Sequence, residues 1–232
     1  MTKRYQTYHL SNPNQFKHQL INFLRKFNCF SLFDSNSTLS TNSFDFLAAF
    51  KQKNEILQSN NPFLELNNII NDSKDWLFGY LGYDLKNDIE QLFSNNLDHQ
   101  GFPNIHFFTA EIIIKIQANQ ATIFYDSNYS NSEIDILFNE ICNIKIIHHS
   151  FQKVQIYPRV KKADYIKKIQ SIKEYLQAGD IYEMNYCQEF YSKDLILDPF
   201  NLFINLNIAS RAPFSTFYRV NEHFCLCASP ER

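Results

Sequence analysis

Glycine is scarce in this chain: four of 232 residues, at Gly79, Gly82, Gly101 and Gly179. No glycine-rich phosphate loop can be assembled from positions so far apart, which excludes nucleotide binding of the dinucleotide or P-loop kind. Cysteine is also sparse. The five residues Cys29, Cys142, Cys187, Cys225 and Cys227 are odd in number and contain no Cys-x-x-Cys pair. Cys225 and Cys227 share one face of an expected strand, which favours a core role over a metal. The adjacent His148 and His149 point to opposite sides of any strand and make a poor ligand pair. Basic charge is not in excess: 22 Lys and Arg face 24 Asp and Glu, for a formal net charge of −2 and a pI of about 6.4. No broad basic surface for nucleic acid or anionic membrane is expected. No uninterrupted apolar stretch is long enough to span a bilayer, and no apolar segment follows the basic start Met-Thr-Lys-Arg, so a soluble, unexported, cytoplasmic protein is expected.

What is present is apolar and aromatic. With 44% hydrophobic and 16% aromatic residues, the chain can bury a large core as one big domain or two smaller ones. Asn12-Pro13-Asn14-Gln15 is a helix start, and Phe16, Leu20, Phe23, Leu24 and Phe27 continue it at helical spacing. Cys29 to Phe33 and Phe44 to Phe50 read as strands, and Asn61-Pro62 starts a short helix that ends near Ser73. Trp76 to Asp84 is β-prone but holds two of the four glycines, which a bulge, a bend or a close backbone approach would explain. Phe107–Ile116 and Ala121–Tyr125 read as a hairpin, and Ile134, Leu137, Phe138 and Ile141 mark an amphipathic helix. Strands and helices mix without regular βαβ alternation, which favours an α+β fold with antiparallel sheet. A boundary near residues 148–159 divides the chain into domains 1–150 and 151–232.

The second segment opens with a helix capped at Asp164 and stopped by Gly179. Gly179 to Phe190 then reads as a strand, with Tyr182, Met184, Tyr186 and Phe190 on one side and Glu183, Asn185, Cys187 and Glu189 on the other. The polar side is either a solvated edge or the lining of a cleft. Asp198-Pro199 starts another helix, and Ser215–Val220 with Phe224–Ser229 forms a candidate hairpin.

Three motifs in this order, Gly179 to Phe190, Arg211-Ala-Pro-Phe-Ser-Thr-Phe217 and Ser229-Pro-Glu-Arg232, resemble the chorismate-utilising enzymes, most closely the component I type that forms aminodeoxychorismate on the way to para-aminobenzoate. Gly79-Tyr-Leu-Gly-Tyr-Asp84 and Leu32-Phe-Asp-Ser35 extend the resemblance over most of the chain. It implies a two-lobed α+β fold with antiparallel sheets around a cleft and surrounding helices. It also implies a Mg²⁺-dependent amination of chorismate, with ammonia from a glutamine amidotransferase subunit. Glu231 takes the place of the family's catalytic glutamate, a general acid toward the departing hydroxyl. Glu183 and Asn185 are candidates to line the cleft. Members that add water carry Lys where Glu183 stands and those that use ammonia usually carry Gln; Glu183 matches neither and points away from water chemistry. Ser35, Pro213 and Phe214 match a tryptophan pocket of the family, without the basic residue expected near Ser43. The family's Mg²⁺-ligating glutamates lie in a further half that this sequence does not contain, so no metal ligand is expected within it and the chain is expected to be a fragment. An anthranilate synthase component I and a noncatalytic small-molecule binding module are the alternatives.

Overall fold

The computed structural model describes residues 3–36, 44–57, 59–90, 92–147 and 153–228. In chain order its elements are β1 (Arg4–His9), α1 (Pro13–Phe23), β2 (Cys29–Asp34), β3 (Phe46–Leu57), α2 (Pro62–Asp72), β4 (Leu77–Leu81), α3 (Lys86–Ile89), β5 (Ile105–Gln117) and β6 (Gln120–Tyr125). They continue with α4 (Asn131–Cys142), β7 (Tyr157–Pro158), α5 (Lys162–Ala178), β8 (Phe190–Tyr191), α6 (Pro199–Ser210), β9 (Ser215–Val220) and β10 (His223–Cys227).

Local chemistry sets the helix ends. The Asn12 side chain accepts a hydrogen bond from the Gln15 N–H at 3.0 Å, and Pro13 occupies the first turn, where a missing N–H costs nothing. Helix α4 carries a full capping box: Ser130 Oγ accepts from the Glu133 N–H at 3.3 Å, and the Glu133 carboxylate accepts from the Ser130 N–H at 2.7 Å. Gly179 ends α5 at φ 81°, with the Asp180 N–H donating to the Tyr175 carbonyl at 3.0 Å. This left-handed stop relieves the last carbonyls. The start of α5 differs from expectation, because Lys161 is the cap and Asp164 lies inside the first turn, where its charge meets the positive end of the helix dipole.

The main sheet has eight antiparallel strands in the order β1-β6-β5-β3-β2-β9-β10, with β4 also paired to β5. Strand β5 is long enough for two partners on one edge: β6 runs along Ile112–Gln117 and β4 along Ile105–Thr109. Alternation sorts the side chains onto two faces. Phe30, Leu32, Phe46, Phe50, Ile114, Ile123 and Phe217 pack against Phe16 and Leu20 of α1, Ile134 and Ile141 of α4 and Phe203 of α6. Leu47, Phe78, Phe108, Ile113 and Tyr218 form the core of the opposite face. Gly79 lies opposite Phe107, where an added Cβ would sit 2.1 Å from the His106 carbonyl oxygen, so close backbone approach explains this glycine.

The chain forms two compact units, residues 1–148 with 199–232, and 149–198. Residues 199–227, placed with the second segment on sequence grounds, thus add α6 and two strands to the first unit: β9 pairs with β2 from Ser215 opposite Asp34 to Val220 opposite Cys29. The second unit holds α5 and the short pair β7–β8. Here the strand expected within Gly179 to Phe190 is largely not formed. Only Phe190 and Tyr191 enter a ladder, with Pro158 and Tyr157, and the Arg159 N–H adds one backbone hydrogen bond to the Glu189 carbonyl; among the described residues no strand runs beside the rest of the segment. Tyr182 is 96% exposed and Met184 and Phe190 more than half exposed, so the alternation corresponds to no buried face.

Candidate functional site

Three groups of functional side chains stand out in the first unit. At the end of β2, Asp34 is almost fully buried and receives Lys17 Nζ at 3.0 Å, Asn207 Nδ2 at 2.9 Å and the Asn36 backbone N–H at 3.0 Å. Such pairing is what a buried carboxylate requires. Asn36 Nδ2 in turn donates to Asn207 Oδ1 and to the Ala212 carbonyl, both at 2.7 Å, which ties β2 to the turn before β9. Beside this network α1 and α6 border a cleft of about 440 Å³ lined by Lys17, Asp34, Asn36, Asn207 and Arg211 together with Ile21 and Ile204. The cleft can hold a small polar molecule by hydrogen bonds.

On the opposite face, the fully buried His106 ring is held from both sides. Its Nε2 lies 2.7 Å from Glu55 Oε1, and its Nδ1 is hydrogen-bonded to the Tyr218 hydroxyl. Burial lowers the pKa of the ring, against the raising effect of Glu55. The Tyr80 and Phe108 rings pack against it at tilted angles, and burial pushes the Tyr80 phenol up to about 12. Buried Cys29 lies close by, its thiol pushed up to about 12 by desolvation and then by the charge of Glu55. None of these roles was visible in the sequence. Glu55 closes a polar run, Lys51 to Glu55, within β3, and His106 is one of several polar residues in β5, so neither stood out from its neighbours.

The third group is Cys225 and Cys227 on β10, with sulfurs 3.5 Å apart. Their expected core role holds only in part. Cys225 packs against the Tyr218 face, whereas Cys227 is exposed, since β10 is the last strand of the sheet. A hydrogen bond from Cys225 lowers Cys227 to about 6, and the same bond raises Cys225.

The residues singled out in the sequence are only partly brought together. Ser35 is buried at the end of β2, where its hydroxyl donates to the Asp45 carbonyl at 3.2 Å. It directly follows Asp34, which pairs with Ser215, so it runs alongside the turn that carries half-buried Pro213 and exposed Phe214. Glu183 and Asn185 are exposed and lie in the second unit. Glu231, His148 and His149 lie outside the described residues. Among the described residues, Cys29, Glu55 and His106 are the one group with metal-holding geometry. A thiol and an imidazole do not suit Mg²⁺, which takes oxygen ligands, and no residue is assigned to it. No helix among the described residues is long and apolar enough to cross a membrane.

Comparison with known proteins places this architecture. Residues 8–232 match the family model of the chorismate binding enzymes. The chain belongs to the chorismate binding enzyme family. Among curated relatives, aminodeoxychorismate synthase component 1 of Escherichia coli K12 is 39% identical over 71 residues, 31% of this chain and 16% of that protein. The chloroplastic aminodeoxychorismate synthase of Arabidopsis thaliana is 25% identical over 198 residues, 72% of this chain and 21% of that protein. The structure of anthranilate synthase component I from Streptococcus pneumoniae TIGR4 superposes with a TM-score of 0.63 at 19% identity, over 80% of this chain and 50% of that one. At that identity the superposition shows the shared fold alone: the chain has the α+β, antiparallel-sheet architecture of component I. It spans a minor part of the length of these curated relatives and half that of the solved structure.

Proposed function

We propose that this chain is part of a component I of aminodeoxychorismate synthase, which replaces the ring hydroxyl of chorismate with an amino group. The observation that carries the reading is the 39% identity to the Escherichia coli component 1, in a chain that has Arg211-Ala-Pro-Phe at a motif position. The Lys expected of a water-activating member is replaced by Glu183, which supports ammonia as the nucleophile. The ammonia comes from a glutamine amidotransferase subunit. In this reading the Mg²⁺ ligands belong to the further half of the family's sequence and not to this chain.

Glu231 serves as general acid in this reading. Hydroxide is a poor leaving group, so the departing oxygen needs a proton in the transition state, and a carboxyl with a raised pKa supplies it at neutral pH. The test is Glu231→Gln in the full-length product of the gene. General acid catalysis of this kind contributes about 10²- to 10⁴-fold, so kcat falls by that factor while the circular dichroism spectrum is unchanged. A kcat equal to that of the parent removes Glu231 from the mechanism.

A further inference from the structure

We propose that Cys29, Glu55 and His106 form a binding site for a divalent cation of the zinc class, on the sheet face opposite α1, α4 and α6. The three residues come from three strands, β2, β3 and β5, and their Sγ, carboxylate oxygen and ring nitrogen all lie within 4.8 Å of one another. Thiol, imidazole and carboxylate together are a donor set that zinc takes and that magnesium or calcium does not. Metal–ligand distances of about 2.0–2.3 Å put tetrahedral ligand atoms roughly 3–4 Å apart, so small side-chain movements close the set around one ion.

Two further features fit such a site. The first is orientation of the imidazole. Tyr218 engages Nδ1, so a proton held there leaves the Nε2 lone pair directed toward Glu55, the position a ligating histidine needs. The second is the backbone of β3. Its register against β5 shifts between Gln52 and Glu55, just after Lys51 adopts a left-handed φ of 58°. A bulge of this kind re-aims side chains. After the shift Glu55 stands opposite Phe108, which makes it the diagonal same-face neighbour of His106. Cys29 and His106 are buried, while the Glu55 side chain is 28% exposed, so an ion can enter from solvent on the Glu55 side. On binding, the Cys29 thiol gives its proton to solvent and the sulfur ligates as thiolate.

The test uses the 232-residue protein stripped with chelator, dialysed against Zn²⁺ and measured for bound metal, in parallel with a Co²⁺ titration followed by absorption. One ion per chain is expected, with a thiolate-to-cobalt charge-transfer band in the near ultraviolet. Cys29→Ser abolishes the band, and His106→Gln and Glu55→Gln each lower affinity at least about tenfold; Glu55→Gln, at a partly exposed position, keeps the test alive if the buried variants fail to fold. The double variant Cys225→Ser with Cys227→Ser retains the ion, which separates this site from the thiol pair on β10. Absence of stoichiometric metal from the parent protein overturns the proposal. So does metal that survives Glu55→Gln unchanged, or that is lost with the Cys225 and Cys227 thiols.

Discussion

Replacing Gly79 with alanine is the sharpest mechanical perturbation the sheet offers. The added Cβ would lie 2.1 Å from the His106 carbonyl oxygen and 2.4 Å from Cδ1 of Phe107. A ring can turn away, but the carbonyl belongs to the backbone of β5 and moves only if β4 separates from it. That separation disturbs a ladder running from Leu77 opposite Thr109 to Leu81 opposite Ile105, and with it buried Phe78. Overpacking in a fitted interior costs about 1–3 kcal/mol, and the rigid nearest neighbour puts Gly79→Ala at or above the upper end. Gly179→Ala is the control, because its φ is 81° but nothing lies within 4 Å of the new Cβ, leaving only the left-handed strain of about 1–2 kcal/mol. Urea unfolding followed by the fluorescence of Trp76, the only tryptophan, reports on this strand directly, since its ring packs on Phe78 and Phe124. The expected result is a lowered midpoint with little change in slope. A midpoint equal to that of the parent would refute the close-approach argument.

Two other perturbations follow from the same packing and charge geometry. Phe203 is fully buried and stacks on Phe217 at 5.0 Å, so Phe203→Ala should cost about 3–5 kcal/mol and lower the Trp76 transition itself; an unchanged Trp76 transition would show that α6 is not part of the first unit. Burial pushes the Asp126 carboxyl up, but hydrogen bonds from Lys3 at 2.6 Å and Lys53 at 2.9 Å outweigh it and hold the group below the usual carboxylate range. Its stabilising contribution is therefore present above the ordinary aspartate pKa and lost as pH falls through the depressed folded value. Asp126→Asn should cost about 1–3 kcal/mol near pH 7 and lose less stability than the parent on acidification toward about pH 3, as read from urea midpoints; parallel pH profiles would contradict the assignment.

How far the chain could be read from its sequence depended on the range of the interaction that decides each feature. Asn12-Pro13 and Gly179 act within a few residues, and their helix ends stand where the sequence places them. Asp164 misled because a capping residue is legible only relative to the first turn, and α5 begins at Lys162. The alternation from Tyr182 to Phe190 meets the local condition for a strand but not the nonlocal one, a neighbour along its full length. The return of α6, β9 and β10 to the sheet beside β2 is also nonlocal, which is why a division at residue 150 does not follow the compact units. Of the site, Ser35 and the Pro213–Phe214 turn emerged as neighbours through β2–β9 pairing. Glu55 and His106 escaped notice because their meeting depends on the register shift in β3, which periodicity does not encode.

The most direct test of the functional account is the identity of the product formed by the full-length gene product from chorismate, ammonia and Mg²⁺, resolved by chromatography and mass spectrometry. Aminodeoxychorismate, with the 232-residue chain alone inactive, is the predicted result. Anthranilate as the product, or turnover by the isolated chain, would contradict it.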